Sequence, residues 1–271
     1  MENPVTYAKP LVSIILVAYA GDSKYFSRAI SSIMAQTLDP TMMELIIGFD
    51  GPLDQISENY LVDACMGAKF PIRVFWNPEK TGYYTVPRNR MTPLASGFYV
   101  YNMDVDNEIA PEHLTGLLHA IRTPHPTEGW PHFVYSRRRY LPDPDYRRKA
   151  SAVIEGDSPF MEWTPENVGS LTIGPMHNFV DTGDMLIGKS VLYELAERTG
   201  YIWNSELRRF GDWDLVARLA KTGMRGRAVD QITNLYHVTG ENVSLTRKLS
   251  DIVVIPQSLH DELKARGQVI D

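Results

Sequence analysis

Four short, nearly unbroken apolar runs recur through the first hundred residues: Leu11–Tyr19 (LVSIILVAY), Leu45–Phe49 (LIIGF), Ile72–Trp76 and Phe98–Met103 (FYVYNM). They are too short for buried helices and lack the polar alternation of a strand with one wet face. Runs of this kind read as strands covered on both faces, the signature of a parallel sheet. Between them the period lengthens to that of a helix. Asp22 or Ser23 offers an N-cap, and Phe26, Ile30, Ile33 and Met34 share a face, which predicts an amphipathic helix over 23–36. Residues 54–66 carry Ile56, Tyr60, Leu61 and Ala64 in the same way. A third helix is predicted over 87–95, with Pro87 in its first turn, and a fourth over 111–121. This β-α-β-α order implies right-handed crossovers. Ligands of such sheets sit beyond the carboxyl ends of the strands. Asp50 ends the second run, and Asp104 and Asp106 end the fourth.

Past residue 123 the texture changes. Prolines 124, 126, 131, 142, 144, 159, 165 and 175 break up short aromatic-rich segments. This half reads as irregular strands and long loops packed on the first half, a place where specificity is usually carried. Helical periodicity returns over 189–199 and 213–222, where Gly223 is a stop, and again over 257–266. No Gly/Ser-rich linker separates a half at 1–122 from one at 123–271, so the reading is two halves fused into one domain.

Composition narrows the function classes. The 271 residues hold 27 Lys+Arg against 33 Asp+Glu, a net charge of −6, with 44% hydrophobic residues. That balance is globular, and it argues against a general nucleic-acid-binding surface, which needs a basic face. Cys65 is the single cysteine, so neither an intrachain disulfide nor a cysteine-based zinc site can form, and a reducing, cytoplasmic setting fits. The opening MENPVTYAKP lacks the charged and apolar regions of a signal peptide. No apolar stretch approaches the roughly 20 residues of a membrane span.

Three constellations carry chemistry. Tyr101–Asn107 (YNMDVDN) sets two carboxylates two residues apart at the end of a buried strand, a pattern that suits a hard divalent cation shared with phosphate oxygens; the plainer reading is a solvated turn in which Asp106 or Asn107 caps the next helix. Arg208–Asp214 (RRFGDWD) sets Asp212 before a predicted helix starting at 213, as its N-cap or as a general base aimed at the ligand crevice. Tyr236–Asn242 (YHVTGEN) puts His237 at the end of a short apolar run, as a third metal ligand or as a hydrogen-bonded core histidine. Other features are softer. Asp50 suits a pyrimidine N–H or a turn, and Arg88 suits a phosphate or an exposed helix end. The run Arg137–Lys149 (RRRYLPDPDYRRK) reads first as a solvated loop. Trp163, Trp203 and Trp213 suit sugar faces or the core equally. No metal-protease spacing joins His113, His119, His125 and His132.

Taken in order, these segments resemble the GT-A glycosyltransferases of family 2. The resemblance rests on Val12–Tyr19, Ser31–Thr37 (SSIMAQT), Asp50-Gly51, Pro87-Arg88-Asn89, Asp104-Val105-Asp106-Asn107 and Gly211–Leu215 (GDWDL). It implies an α/β, Rossmann-like, mostly parallel sheet flanked by helices, with a nucleotide-sugar-binding half at 1–122 and an acceptor-binding half at 123–271. It implies that Ala18 and Tyr19 line the base, that Asp50 faces a uracil ring, and that Arg88 approaches the diphosphate. Asp104 then approaches ribose or sugar, Asp106 binds Mn²⁺ or Mg²⁺, His237 completes the metal site, and Asp212 is the catalytic base. The implied activity is inverting transfer of a sugar from a UDP-linked donor to an acceptor hydroxyl. Acceptor class and homo-oligomerisation stay open.

Three departures from the family pattern stand out. Gly211 occupies the place of the usual Glu, Tyr83–Pro87 (YYTVP) replaces a glycine-rich stretch, and no Gln-x-x-Arg-Trp follows, which disfavours a processive synthase. The competing readings are an inactive nucleotide-sugar-binding module and a sugar-1-phosphate nucleotidylyltransferase. The second wants a glycine-rich basic loop where this chain has Tyr19–Ser23 (YAGDS). A dinucleotide dehydrogenase is disfavoured, because no G-x-G-x-x-G follows the first strand.

Overall fold

The four apolar runs become neighbouring strands that form one side of a single sheet. A computed structural model describes residues 9–19, 22–52, 54–144, 154–171, 173–175, 178–207 and 209–239. In it β1 (Val12–Tyr19), β2 (Met43–Asp50), β3 (Ile72–Asn77) and β4 (Tyr99–Asp104) lie parallel in the spatial order β3-β2-β1-β4. The absence of polar alternation in β1 has a direct cause. Ile14 and Leu16 enter one core with Phe26, Ile33 and Leu114, while Ile15 and Val17 enter a second core with Met91, Trp203 and Leu215. Successive side chains point to opposite faces, and both faces are covered. The cover on the first face comes from α1 (Ser23–Met34), α2 (Gln55–Gly67) and α4 (His113–Ile121); α3 (Thr85–Met91) lies on the second. The predicted helix at 87–95 thus begins two residues early and closes in a 3₁₀ turn, Thr92–Leu94.

Gln36, just past α1, explains part of the Ser31–Thr37 motif. Its Nε2 donates to the Ala110 carbonyl at 2.8 Å, and its Oε1 accepts the Leu114 N–H at 3.1 Å. The Thr37 N–H reaches the Pro111 carbonyl at 2.8 Å, and Arg28 Nη2 reaches the Asp106 carbonyl at 2.6 Å. Together these bonds fasten the turn after β4 to α1. We expect Gln36→Ala to destabilise the chain by about 1–2 kcal/mol, because two backbone groups lose their partner. A lower urea midpoint at unchanged m would show it; an unmoved midpoint would contradict it.

The second half corrects the expectation of irregular strands and loops. It contributes β6 (Phe133–Pro142), β8 (Met185–Gly188) and β9 (Gly226–Val238) to the same sheet, in the order β3-β2-β1-β4-β8-β6-β9-β5, where β5 is Glu108–Ile109 and β7 (Gly156–Asp157) pairs with β6. β8 runs antiparallel to β4 and β6, and β9 runs parallel to β6 with a register shift between Tyr135 and Arg138. The prolines bracket these strands instead of interrupting them: Pro131 precedes β6 and Pro142 ends it. The arginines that made 137–149 read as a solvated loop begin inside β6. Arg138 is buried there because Asp184, itself fully buried before β8, pairs with it. Residues 145–153 lie outside the described residues, as does the predicted helix at 257–266. The helices of this half are α5 (Pro165–Leu171), α6 (Lys189–Thr199) and α7 (Gly211–Lys221). Trp203 and Trp213 are core, and Trp163, partly buried, packs against it. Trp163 Nε1 donates to the Met224 carbonyl, Trp213 Nε1 donates to the Leu171 carbonyl, and Trp203 is fully buried.

Candidate active site

The strand order reverses between β1 and β4, where Val17 pairs with Asp104. An open crevice belongs at such a point. A cleft of about 360 Å³ lies there, walled by the carboxyl ends of β1 and β4, the start of α7 and the end of β9. Its chemistry is acidic: Asp22, Asp104, Asp106, Asp181 and Asp212 all line it. Two of the lining arginines are committed to carboxylates, Arg88 to Asp104 at 2.6 Å and Arg138 to Asp184.

The strand-end pair behaves as unlike partners. Burial pushes the Asp104 carboxyl above its ordinary value, opposed by the adjacent Arg88. Burial first, then the charges of Asp104 and Asp22, push the Asp106 carboxyl well above its ordinary value, against one backbone hydrogen bond. Carboxylates crowded in this way repel one another, and a divalent cation relieves that repulsion. The turn around Asp106 therefore fits a metal ion. Among the described residues, however, no group of three His, Cys, Asp or Glu side chains is placed to hold one.

His237 is placed differently from what its motif implied. Its Nε2 lies 2.6 Å from Glu108 Oε1, and its Nδ1 lies 3.6 Å from Asp143 Oδ1. Both ring nitrogens thus face carboxylates of β5 and the end of β6. Alternation along β9 accounts for this, since the neighbouring Tyr236 is the side chain that lines the cleft.

Asp50 is 3% exposed and is not among the residues walling the cleft. Its carboxylate accepts from Asn77 Nδ2 at 2.9 Å, from the N–H and hydroxyl of Thr81, and from the Gly82 N–H at 2.7 Å. Burial alone would raise this carboxyl, but those donors outweigh it and hold it below its ordinary value. Its structural task is to fix the 77–82 turn. Tyr19 lines the cleft and carries Lys80 Nζ 4.1 Å from its ring centroid, whereas Ala18 is buried in the core beneath.

Asp212 sits in the first turn of α7. That helix begins at Gly211, two residues before the predicted start, so the N-cap position falls to Phe210 instead. Phe210 takes φ 58° and ψ 21°, the only non-glycine residue with positive φ among those described. A bulky side chain in this left-handed region costs roughly 1–2 kcal/mol, and such strain concentrates where a site must be aimed. The turn brings Asp212 to the cleft wall, where Asn178 Nδ2 donates to its Oδ2 at 2.9 Å. Burial, then the negative charge of Asp181, push the Asp212 carboxyl up to about 7, against the Trp213 N–H and Arg138.

Sequence reasoning missed Asn178, Asp181, Arg138 and Tyr84. A signal existed for the second: Asp181-Thr182-Gly183-Asp184 precedes the apolar run of β8 just as Asp104 and Asp106 follow that of β4. The two acids form a capping box on a short 3₁₀ turn. Arg138 lies 3.6 Å from Asp181 and so spans both acids.

A family model described as glycosyl transferase family 2 matches residues 13–174, more than half of the chain. The chain belongs to glycosyl transferase family 2. Solved structures share its GT-A fold. S. aureus TarS 1-349 in complex with UDP-GlcNAc is 17% identical with a TM-score of 0.65, over 93% of this chain and 64% of that one. S. aureus TarS is 16% identical at 0.64, over 94% and 42%. The mannosyltransferase PcManGT from Pyrobaculum calidifontis, in complex with GDP-Man and Mn²⁺, is 15% identical at 0.59, over 87% and 59%. This family 2 chain therefore spans less than two thirds of the length of each. A search of curated protein sequences finds no match. Among the described residues no helix is long and apolar enough to cross a membrane.

Proposed function

We propose that this family 2 glycosyltransferase moves a sugar, with inversion, from a UDP-linked donor to an acceptor hydroxyl, in a cytoplasmic setting. One observation carries the reading. Asp212, whose carboxyl burial and the Asp181 charge push up to about 7, and the crowded carboxylates after β4 face the same cleft. The first is poised as a general base at neutral pH. The second suits a cation that accompanies a diphosphate. UDP-GlcNAc in TarS 1-349 favours a UDP-linked donor, and Mn²⁺ in PcManGT favours a divalent cation.

In this mechanism the ionised Asp212 carboxylate takes the proton of the acceptor hydroxyl. The acceptor oxygen bonds to the anomeric carbon from the face opposite the leaving group. The bond from that carbon to the diphosphate oxygen breaks, and its electron pair departs with UDP. A single displacement inverts the centre. Asn178 holds one Asp212 oxygen so that the other faces the acceptor. Arg88 orients Asp104 toward ribose or sugar, and Tyr19 offers a ring to the base over a turn fixed by Asp50. Asp106 is the residue that would hold Mn²⁺ or Mg²⁺. His237 would join only by giving up Glu108. A cation bound there acts as a Lewis acid that neutralises charge on the leaving diphosphate.

The test is nucleotide release from UDP-GlcNAc, other UDP-sugars and GDP-Man across an acceptor panel, with Mn²⁺, Mg²⁺ or chelator. Metal-dependent UDP release that rises with one acceptor class supports the reading. Donor binding without turnover across the whole panel would make the chain a binding module instead.

A further inference from the structure

Helix α7 carries the proposed base, yet it begins without a cap of its own. Phe210 precedes it with no polar side-chain atom, and no cap hydrogen bond forms there. The first N–H groups of a helix need partners from elsewhere. The Gly211 N–H finds one in Tyr84 Oη, at 2.8 Å and 127 residues away in sequence. The fit leaves no slack: a Cβ added at Gly211 would lie 2.7 Å from that oxygen and 2.9 Å from the Thr85 methyl carbon Cγ2. Tyr84 is buried deeply enough that desolvation, and next the Asp212 charge, raise its phenol above the ordinary value.

The ring of Tyr84 has a second contact at the other pole of the cleft. The Arg88 guanidinium lies 4.7 Å from the Tyr84 ring centroid and 4.9 Å from that of Trp203. Arg88 is 0% exposed, its Nη2 holds Asp104, and its Nε and Nη1 have no hydrogen-bond partner among the described residues. Two aromatic faces and one carboxylate are therefore what hold this buried cation.

We propose that Tyr84 is a positioning residue that ties the two poles of the cleft together, its oxygen seating the helix that presents Asp212 and its ring seating Arg88 and through it Asp104. The proposal rests on the functional reading above and explains two departures from the family pattern as one. The tyrosine segment before Arg88 and the bare glycine before Asp212 are two sides of a single contact.

Tyr84→Phe and Tyr84→Leu separate the two roles. In ligand-free protein, amide hydrogen exchange at Gly211 should quicken by about tenfold or more in Tyr84→Phe, because that N–H loses its acceptor. Turnover should fall by about tenfold or more through the displaced base, while the affinity for UDP with Mn²⁺ stays within about threefold because the ring remains. Tyr84→Leu should lose about tenfold in that affinity as well. A residue that only filled space would pass both oxygen tests in its phenylalanine form. Unchanged Gly211 exchange, or faster exchange with unchanged turnover, overturns the proposal. Because exchange is read without ligand, a wild-type chain that releases no nucleotide counts against the functional reading alone, and the exchange result still decides the contact.

Discussion

Asp212→Asn should slow sugar transfer roughly a hundred- to ten-thousand-fold, the range of a lost general base, while UDP binding with Mn²⁺ stays within about threefold. The amide keeps the hydrogen-bonding shape of the side chain but cannot take the acceptor proton. The wild-type pH profile should carry the same signature. Only the carboxylate form of the base is active, so log kcat/KM should climb with unit slope and level off near pH 7, the value to which burial and Asp181 push Asp212.

Stability should move the opposite way. Asp212 in the unfolded chain ionises near pH 4. Between there and 7 the unfolded state sheds a proton that the native state keeps, so the wild type loses stability as pH rises through that window. The asparagine variant lacks this loss. It should melt with the wild type near pH 4 and above it at pH 8, by roughly 1–3 kcal/mol. That corresponds to roughly 2–4 °C per kcal/mol in Tm. An inactive variant that is also less stable at pH 8 would mean that Asp212 is a structural partner and not a poised base.

Asp106→Asn should produce a second paradox. In the absence of metal the variant should melt higher than the wild type, since burial first and then the charges of Asp104 and Asp22 disfavour the ionised carboxylate, and an amide carries no charge to penalise. With Mn²⁺ and UDP the ranking should reverse. The wild type gains stability by mass action, about 2.7 kcal/mol when ligand stands at a hundred times its Kd. The variant should gain little, and metal-dependent turnover should fall with it. Thermal melts of both proteins with chelator, Mn²⁺, UDP, and Mn²⁺ plus UDP would read this directly. Equal Mn²⁺-dependent gains in the two proteins would remove Asp106 from the metal site.

The strand ends were legible in the sequence because buried parallel strands announce themselves as apolar runs, and an acid closing such a run has little packing reason to be there. That logic points to Asp104 and Asp106, whereas Asp212 is read from its place at the start of a helical pattern. It failed where burial depends on a distant partner. Arg138 reads as a solvated charge until Asp184, 46 residues later, is placed beside it across β8, and with it went the true length of β6. His237 shows the limit of a motif on a strand: a shift of one residue decides which face a side chain takes, and no local signal fixes it. Asp50 ends its strand as expected, but the carboxylate serves a turn whose donors, Asn77, Thr81 and Gly82, come from the end of the next strand and the residues after it. Tyr84 and Gly211 each look like a local departure; only the fold reveals them as a contact.

Whether the acidic turn after β4 joins a cation to a nucleoside diphosphate decides the function of the cleft. Calorimetric titration of UDP into the wild-type chain, with Mn²⁺ and then with chelator, asks this directly. UDP should bind at least about tenfold tighter with Mn²⁺, a gain that Asp106→Asn loses. UDP that binds equally well under chelation, or fails to bind in either condition, would contradict it.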